Sequence, residues 1–94
     1  MLRNAEQGRG MFTVGSATRT EADELGRAWV GPNYRVASDG RTLIQVLPDG
    51  SNGYRQYRPP AYKDRRGVTQ ANLESRSGTS GTWENNGHID IIDP

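Results

Sequence analysis

Residues 54–66, Tyr54-Arg55-Gln56-Tyr57-Arg58-Pro59-Pro60-Ala61-Tyr62-Lys63-Asp64-Arg65-Arg66, set five cations among three tyrosines, with Asp64 the single opposing charge. The local charge is +4 against +1 for the whole chain, so the remainder carries −3. Tyr54–Arg58 alternates tyrosine with arginine or glutamine and reads as a strand. Tyr54, Gln56 and Arg58 then face one side, and Arg55 and Tyr57 the other. Pro59-Pro60 is expected to stop that strand, because neither residue can donate to a ladder. Ala61–Gly67 follows as an exposed basic loop. Guanidinium beside aromatic rings suits a polyanion with flat bases. A solvated edge strand with arginine stems over tyrosine rings would use the same residues.

Working outward, Tyr34–Ser38 alternates in character, Asp39-Gly40 offers a two-residue turn, and Thr42–Leu47 is β-branched and apolar, which together read as a hairpin. A second turn, Pro48–Gly53, leads into the tyrosine–arginine strand. Downstream, Val68–Arg76 could be one turn of helix but reads better as a strand, opened by Val68-Thr69 and closed by Gly78–Gly81. Asn85-Asn86-Gly87 has turn chemistry, and His88–Ile92 forms a final strand. Upstream, Thr20 and Asp23 make a capping pair, Glu21, Asp23 and Glu24 fill a first turn, and Ala22, Leu25 and Trp29 share a face. These predict a helix from about Glu21 to Trp29, ended by Gly31-Pro32. Met1–Gly15 lacks either period and reads as a linker or the end of an upstream region, leaving residues 16–94 as the domain. The expected class is α+β, a short N-terminal helix packed on an antiparallel sheet of four to five strands. Trp29 and Trp83 are candidate core anchors, with base stacking the alternative use of Trp29.

Composition bounds the chemistry. Ninety-four residues with 32% hydrophobic content and 12 glycines allow one domain with a small core and many turns. The absence of cysteine excludes disulfides and thiolate zinc sites, and His88 is the only histidine. No run approaches the roughly 18 apolar residues of a membrane span, and the N-terminus has no apolar signal core. The basic residues are eleven arginines and one lysine, a bias toward forked donors that match phosphate.

RNA can be cut without a metal when a base takes the 2′-hydroxyl proton, an acid protonates the leaving 5′-oxygen, and cations stabilise the phosphorane. His88 and Glu74 are the candidates for proton transfer, and Arg55, Arg58, Lys63 and Arg76 for the phosphate. Asp90, two residues from His88 on the same face, is placed to orient the imidazole. The plainer alternatives are a strand-edge histidine without a role and a Glu74 that only pairs with Arg76 or Arg58. Arg55, Tyr57, Arg65 and Arg66 are the candidate RNA-binding residues. Cleavage of DNA would ask carboxylates such as Glu74, Asp90 and Asp93 to hold a divalent cation. They form no tight acidic motif, so no metal or other cofactor is expected.

The segments Gly15–Ile44, Tyr54–Lys63 (YRQYRPPAYK), Gln70–Arg76 (QANLESR) and Asn86–Ile91 (NGHIDI) resemble the C-terminal toxin modules of bacterial polymorphic toxins. Those include filamentous haemagglutinin-like and contact-dependent growth inhibition proteins. The resemblance spans about Gly15 to Asp93. It implies delivery into a neighbouring bacterium as part of a larger secreted or surface-displayed protein, toxicity in the target-cell cytoplasm, and neutralisation by a cognate immunity protein. Many such tips are metal-independent ribonucleases of the barnase, colicin and RelE-like group, with a helical part on an antiparallel sheet. Within the matching segments the resemblance carries over to Arg58, Lys63, Glu74, Arg76 and His88 as catalytic positions. The chain departs from the pattern after Ile44, where Gln45–Pro60 exceeds a short turn and leaves the register of the second and third strands open. The expected activity is cleavage of tRNA or another RNA by transesterification. A toxin acting on DNA and a non-catalytic nucleic-acid or partner-binding module are the alternatives. Salt-dependent binding without cutting would mark the last of these.

Overall fold

Val68–Arg76, the segment balanced between strand and helix, is the centre of a six-stranded sheet. A computed structural model describes residues 2–46, 54–76 and 83–93. In chain order these form α1 (Leu2–Gln7), β1 (Met11–Ala17), α2 (Arg19–Val30), β2 (Tyr34–Val36), β3 (Leu43–Gln45), β4 (Tyr54–Lys63), β5 (Val68–Arg76) and β6 (Asn85–Ile91). The sheet order is β1-β6-β5-β4-β3-β2. Every pairing is antiparallel except β1 with β6, which is parallel, so the class is α+β with a mixed sheet.

The core lies between the helices and one face of the sheet. Ala5, Val14, Ala17, Ala22, Trp29, Val30, Tyr57, Ala71, Leu73 and Ile89 are buried there. The period of two divides β5 cleanly, with Ala71 and Leu73 in this core and Gln70, Asn72 and Glu74 buried on the opposite face. Helix α2 approaches the sheet closely at Gly26, where an added Cβ would stand 2.3 Å from the Tyr57 ring. The Tyr57 hydroxyl donates to Asp23 Oδ1 at 2.7 Å, and the Trp29 indole N–H donates to the Glu74 carbonyl at 3.1 Å. These two bonds let polar tips of large aromatics enter a small core.

Several local expectations change. The helix starts two residues earlier than its Thr20–Asp23 pair implied: Thr18 caps it in a box with Glu21, whose carboxylate accepts the Thr18 N–H at 2.9 Å. The Thr18 backbone and then its side chain hold Glu21 below the usual carboxylate range. Residues 1–15, read as irregular, carry α1 and most of β1. Pairing shifts between Thr13 and Gly15, and this break in the alternation puts Val14 and Ala17 in the core three residues apart.

The hairpin at residues 34–45 forms with a wider connection, in which Asp39 Oδ1 accepts the N–H groups of Arg41 and Thr42 at 2.9 and 2.8 Å. Those contacts, Thr42's side-chain bond first, hold the Asp39 carboxyl down at about 2. Pro59-Pro60 does not end β4. The two prolines together oppose Ala71 in a bulge between Arg58 and Ala61, which frees them from ladder donation and carries the strand on to Lys63. The basic loop shortens to a turn at residues 64–67, where Gly67 takes φ +67°.

Asn85-Asn86-Gly87 is part of β6 and not a turn. Asn85 accepts the Gly10 N–H at 2.8 Å, and a Cβ on Gly87 would fall 2.7 Å from Val14, so close packing explains the glycine. Trp83 is half-buried with the Arg76 guanidinium 5.3 Å above its ring, outside the core it was expected to anchor. The Pro48–Gly53 turn and the Gly78–Gly81 closure lie outside the described residues.

Candidate active site

The face of the sheet turned away from the helices is polar. Cross-strand pairing sets Arg58, Asn72 and His88 in one row across β4, β5 and β6, and Gln56, Glu74 and Asn86 in the next. Adjacent strands lie about 5 Å apart, so each row brings three side chains within reach of one small ligand. A groove of about 300 Å³ runs over these rows, lined by Arg58, Lys63, Arg66, Gln70, Asn72, Glu74, Asn86 and His88.

The carboxylate is fixed on two sides. Glu74 Oε1 accepts from Gln56 Nε2 at 2.9 Å and meets Arg58 Nε at 2.7 Å. Glu74 is buried, whereas the Arg58 side chain is 53% exposed. The Arg58 contact runs through Nε, and Glu74 Oε2 takes part in neither bond. Of the two partners considered for Glu74, the pairing is with Arg58.

His88 is buried, with Nδ1 3.2 Å from the Phe12 carbonyl oxygen. A carbonyl only accepts, so Nδ1 carries the hydrogen and Nε2 is the nitrogen available for proton exchange. Asp90 does not orient this ring. Its Oδ1 accepts from Gln70 Nε2 at 2.7 Å, which takes the carboxylate into the neighbouring row.

The groove therefore brings together Arg58, Lys63, Glu74 and His88, and adds Arg66 from the turn. It does not include the other candidates. Arg76 lies over the Tyr54 ring at 4.7 Å and over Trp83. Arg55 is on the helix side, stacked on Trp29 at 4.3 Å and 3.8 Å from Glu6. Tyr57 is 1% exposed in the core, so its ring offers no surface to a base, and burial first, then its bond to Asp23, pushes its hydroxyl far above the ordinary tyrosine range. Trp29 is likewise a core residue. Arg65 is exposed on the turn beside Arg66, outside the groove lining.

Sequence reading missed Gln56, Gln70, Asn72 and Asn86. Their signal was available in β5, where Gln70, Asn72 and Glu74 repeat every second residue opposite Ala71 and Leu73. A polar stripe on a central strand marks a face built for something other than a second core.

The three carboxylates weighed for a cation are separately engaged: Glu74 with Arg58, Asp90 with Gln70, and Asp93 accepting the Arg19 N–H at 2.9 Å. Among the described residues no group of three or more His, Asp or Glu gathers as a metal site, and no helix is long and apolar enough to cross a membrane. A cavity of about 350 Å³ on the helix side is lined by Arg19, Asp23, Arg27, Arg41 and Tyr57 among others. It is larger than the groove, but its carboxylate is already bonded to Tyr57 and it holds no imidazole. No protein-family model matches the sequence, and no curated protein or solved structure matches it.

Proposed function

We propose that the groove is the active site of a metal-independent endoribonuclease that acts as an interbacterial toxin. The observation that carries the reading is the row Arg58–Asn72–His88 beside Glu74. It sets an imidazole with a defined free nitrogen, a fixed carboxylate and three cations around one opening. The toxin role rests in addition on the sequence resemblance.

In this scheme Glu74, through Oε2, takes the proton of the 2′-hydroxyl, and the 2′-oxygen forms a bond to phosphorus. His88, protonated at Nε2, gives its proton to the 5′-oxygen as the phosphorus–5′-oxygen bond breaks. The products are a 2′,3′-cyclic phosphate and a free 5′-hydroxyl. Arg58, aimed by Glu74 through Nε, and Lys63 and Arg66 stabilise the charge on the phosphorane. Arg65 extends the positive rim toward a structured RNA such as tRNA.

The exposed Arg58, Arg65 and Arg66 also suit an immunity protein that is acidic at its docking face, because complementary charge speeds capture. The test is to incubate the purified domain with total RNA and with duplex DNA, each with and without EDTA. Cutting of RNA that EDTA leaves intact supports the proposal. EDTA-sensitive cutting of DNA would replace it with a metal-dependent DNase.

A further inference from the structure

Strand β4 has β3 beside it only at Gln56 and Tyr57, and among the described residues no strand takes up that side from Arg58 to Lys63. This open stretch contains the proline bulge. Pro59 and Pro60 bring no N–H to the edge, and the Pro60 carbonyl already accepts from Arg41 Nη2 at 2.8 Å. An added strand would lose its ladder partners at the bulge, so the gap does not suit β-pairing. What lines it is charge. A hollow of about 120 Å³ at the gap is walled by Arg41, Arg58, Pro59 and Lys63 among others.

The hollow joins two openings on opposite faces of the sheet. It shares Arg58 and Lys63 with the groove, and Arg41 and Pro59 with the 350 Å³ cavity on the helix side, where α2 adds Arg19 and Arg27. Six cations and three carboxylates line the three openings together, so positive charge is in excess along the whole path. The carboxylates are each engaged. Glu74 holds Arg58, Asp23 accepts from the Tyr57 hydroxyl, and Asp39 accepts from the Thr42 side chain and from the N–H groups of Arg41 and Thr42. Arg41 is bonded to a neutral carbonyl and keeps its full charge. Arg27 is exposed and makes no ion pair with any described residue.

We infer that the groove, the edge hollow and the helix-side cavity form one phosphate track, along which a single RNA strand passes around the open edge of β4 from Arg58 to Arg41 and Arg27. The inference rests on the ribonuclease reading for its ligand. It goes beyond that reading in requiring a strand longer than the two nucleotides that flank a cut bond. A polyanion with regularly spaced phosphates can occupy all three openings at once, whereas one nucleotide fills only one of them. The edge hollow is lined by charged and small side chains without an aromatic ring, so it positions a backbone and reads no base.

The test measures binding apart from cutting, by fluorescence anisotropy with 2′-O-methyl oligonucleotides of two and of eight nucleotides, which lack the 2′-hydroxyl that cleavage needs. The wild-type domain is expected to bind the longer strand about ten-fold or more tighter than the shorter. Equal affinity for the two lengths overturns the track, and this comparison needs no variant. Arg27→Gln should weaken the longer strand several-fold, lower its salt slope by about 0.7, and leave the shorter strand unchanged. Arg27→Lys should restore most of the loss. Arg35→Gln, the same charge change on β2 outside the three openings, should leave both affinities near wild type. A loss in Arg35→Gln as large as in Arg27→Gln would reduce the effect to net charge and overturn the track. An eight-residue glutamate peptide that binds as tightly as the longer strand would overturn it in favour of a protein-docking face. The two readings fail separately. RNA cut equally well by wild type and Arg27→Gln, with no length-dependent binding, removes the track and keeps the ribonuclease. Length-dependent binding that Arg27→Gln weakens, without cutting of unmodified RNA, keeps the track and removes the ribonuclease.

Discussion

The His88 imidazole takes its orientation from the Phe12 carbonyl oxygen, 3.2 Å from Nδ1 and 76 residues away in sequence. The parallel pairing of β1 with β6 makes that contact, and the same strand supplies Val14 and Ala17 to the core. Strand β1 is therefore expected to be integral to the domain. Removing residues 1–17 should lower the thermal midpoint steeply or abolish cooperative unfolding, as followed by circular dichroism. An unchanged midpoint would show that β1 is dispensable and that His88 is held by other means.

Gly26 sets two effects in competition. Replacing a helical glycine with alanine ordinarily gains about 1 kcal/mol of propensity. Here the new methyl would meet the Tyr57 ring at 2.3 Å, and overpacking against a buried aromatic costs about 1–3 kcal/mol. Gly26→Ala is expected to destabilise the domain despite its better helix propensity. A rise in the urea midpoint would contradict the close approach.

Arg58 and Glu74 should separate stability from activity. Because the Arg58 side chain is half exposed, its ion pair contributes at most about 1 kcal/mol to folding. Arg58→Ala should unfold within about that margin of wild type yet lose most RNA cutting. Arg58→Lys should recover little, because a lysine cannot hold Glu74 with one nitrogen and present others to phosphate. Glu74→Gln is expected to reduce the cutting rate by about 10²–10⁴-fold. Near-normal rates in Glu74→Gln would leave the carboxylate as only a positioning partner of Arg58.

The parts of this arrangement that were legible in sequence are those governed by local periods. The alternation of Tyr54–Arg58 assigned the two faces of β4 correctly, the hairpin at residues 34–45 followed from its turn chemistry, and β5 was read as a strand. What escaped is set by long-range packing. The Pro59-Pro60 stop became a bulge because Ala71 across the ladder can be opposed by two residues. The Asn-Asn-Gly turn became strand because Val14 and Phe12 press on Gly87. At the site, residue types named Arg58, Lys63, Glu74 and His88, which share the groove. The same charge argument also chose Arg55 and Tyr57, and strand parity, known in advance, sends both to the helix side. Gln56, Gln70, Asn72 and Asn86 were passed over because glutamine and asparagine draw attention only once their burial is known.

Tyr57 predicts an alkaline transition. Burial and then the Asp23 hydrogen bond raise its hydroxyl far above the ordinary tyrosine range, so the folded chain keeps a proton that the unfolded chain releases. The stabilisation is complete below about pH 10 and falls as pH rises beyond it. Phenolate absorbance from Tyr57 should appear only together with loss of the near-ultraviolet dichroism, and Tyr57→Phe should lack that coupled step. Persistence of the step in Tyr57→Phe would assign it to another group.

The most direct test of the central claim is RNA cleavage by wild type and His88→Ala, both verified as folded, in EDTA. The account predicts fragments ending in 2′,3′-cyclic phosphate from wild type and a rate lower by about 10²–10⁴-fold from His88→Ala. Equal rates for the two proteins, or wild-type cutting that EDTA abolishes, would contradict it.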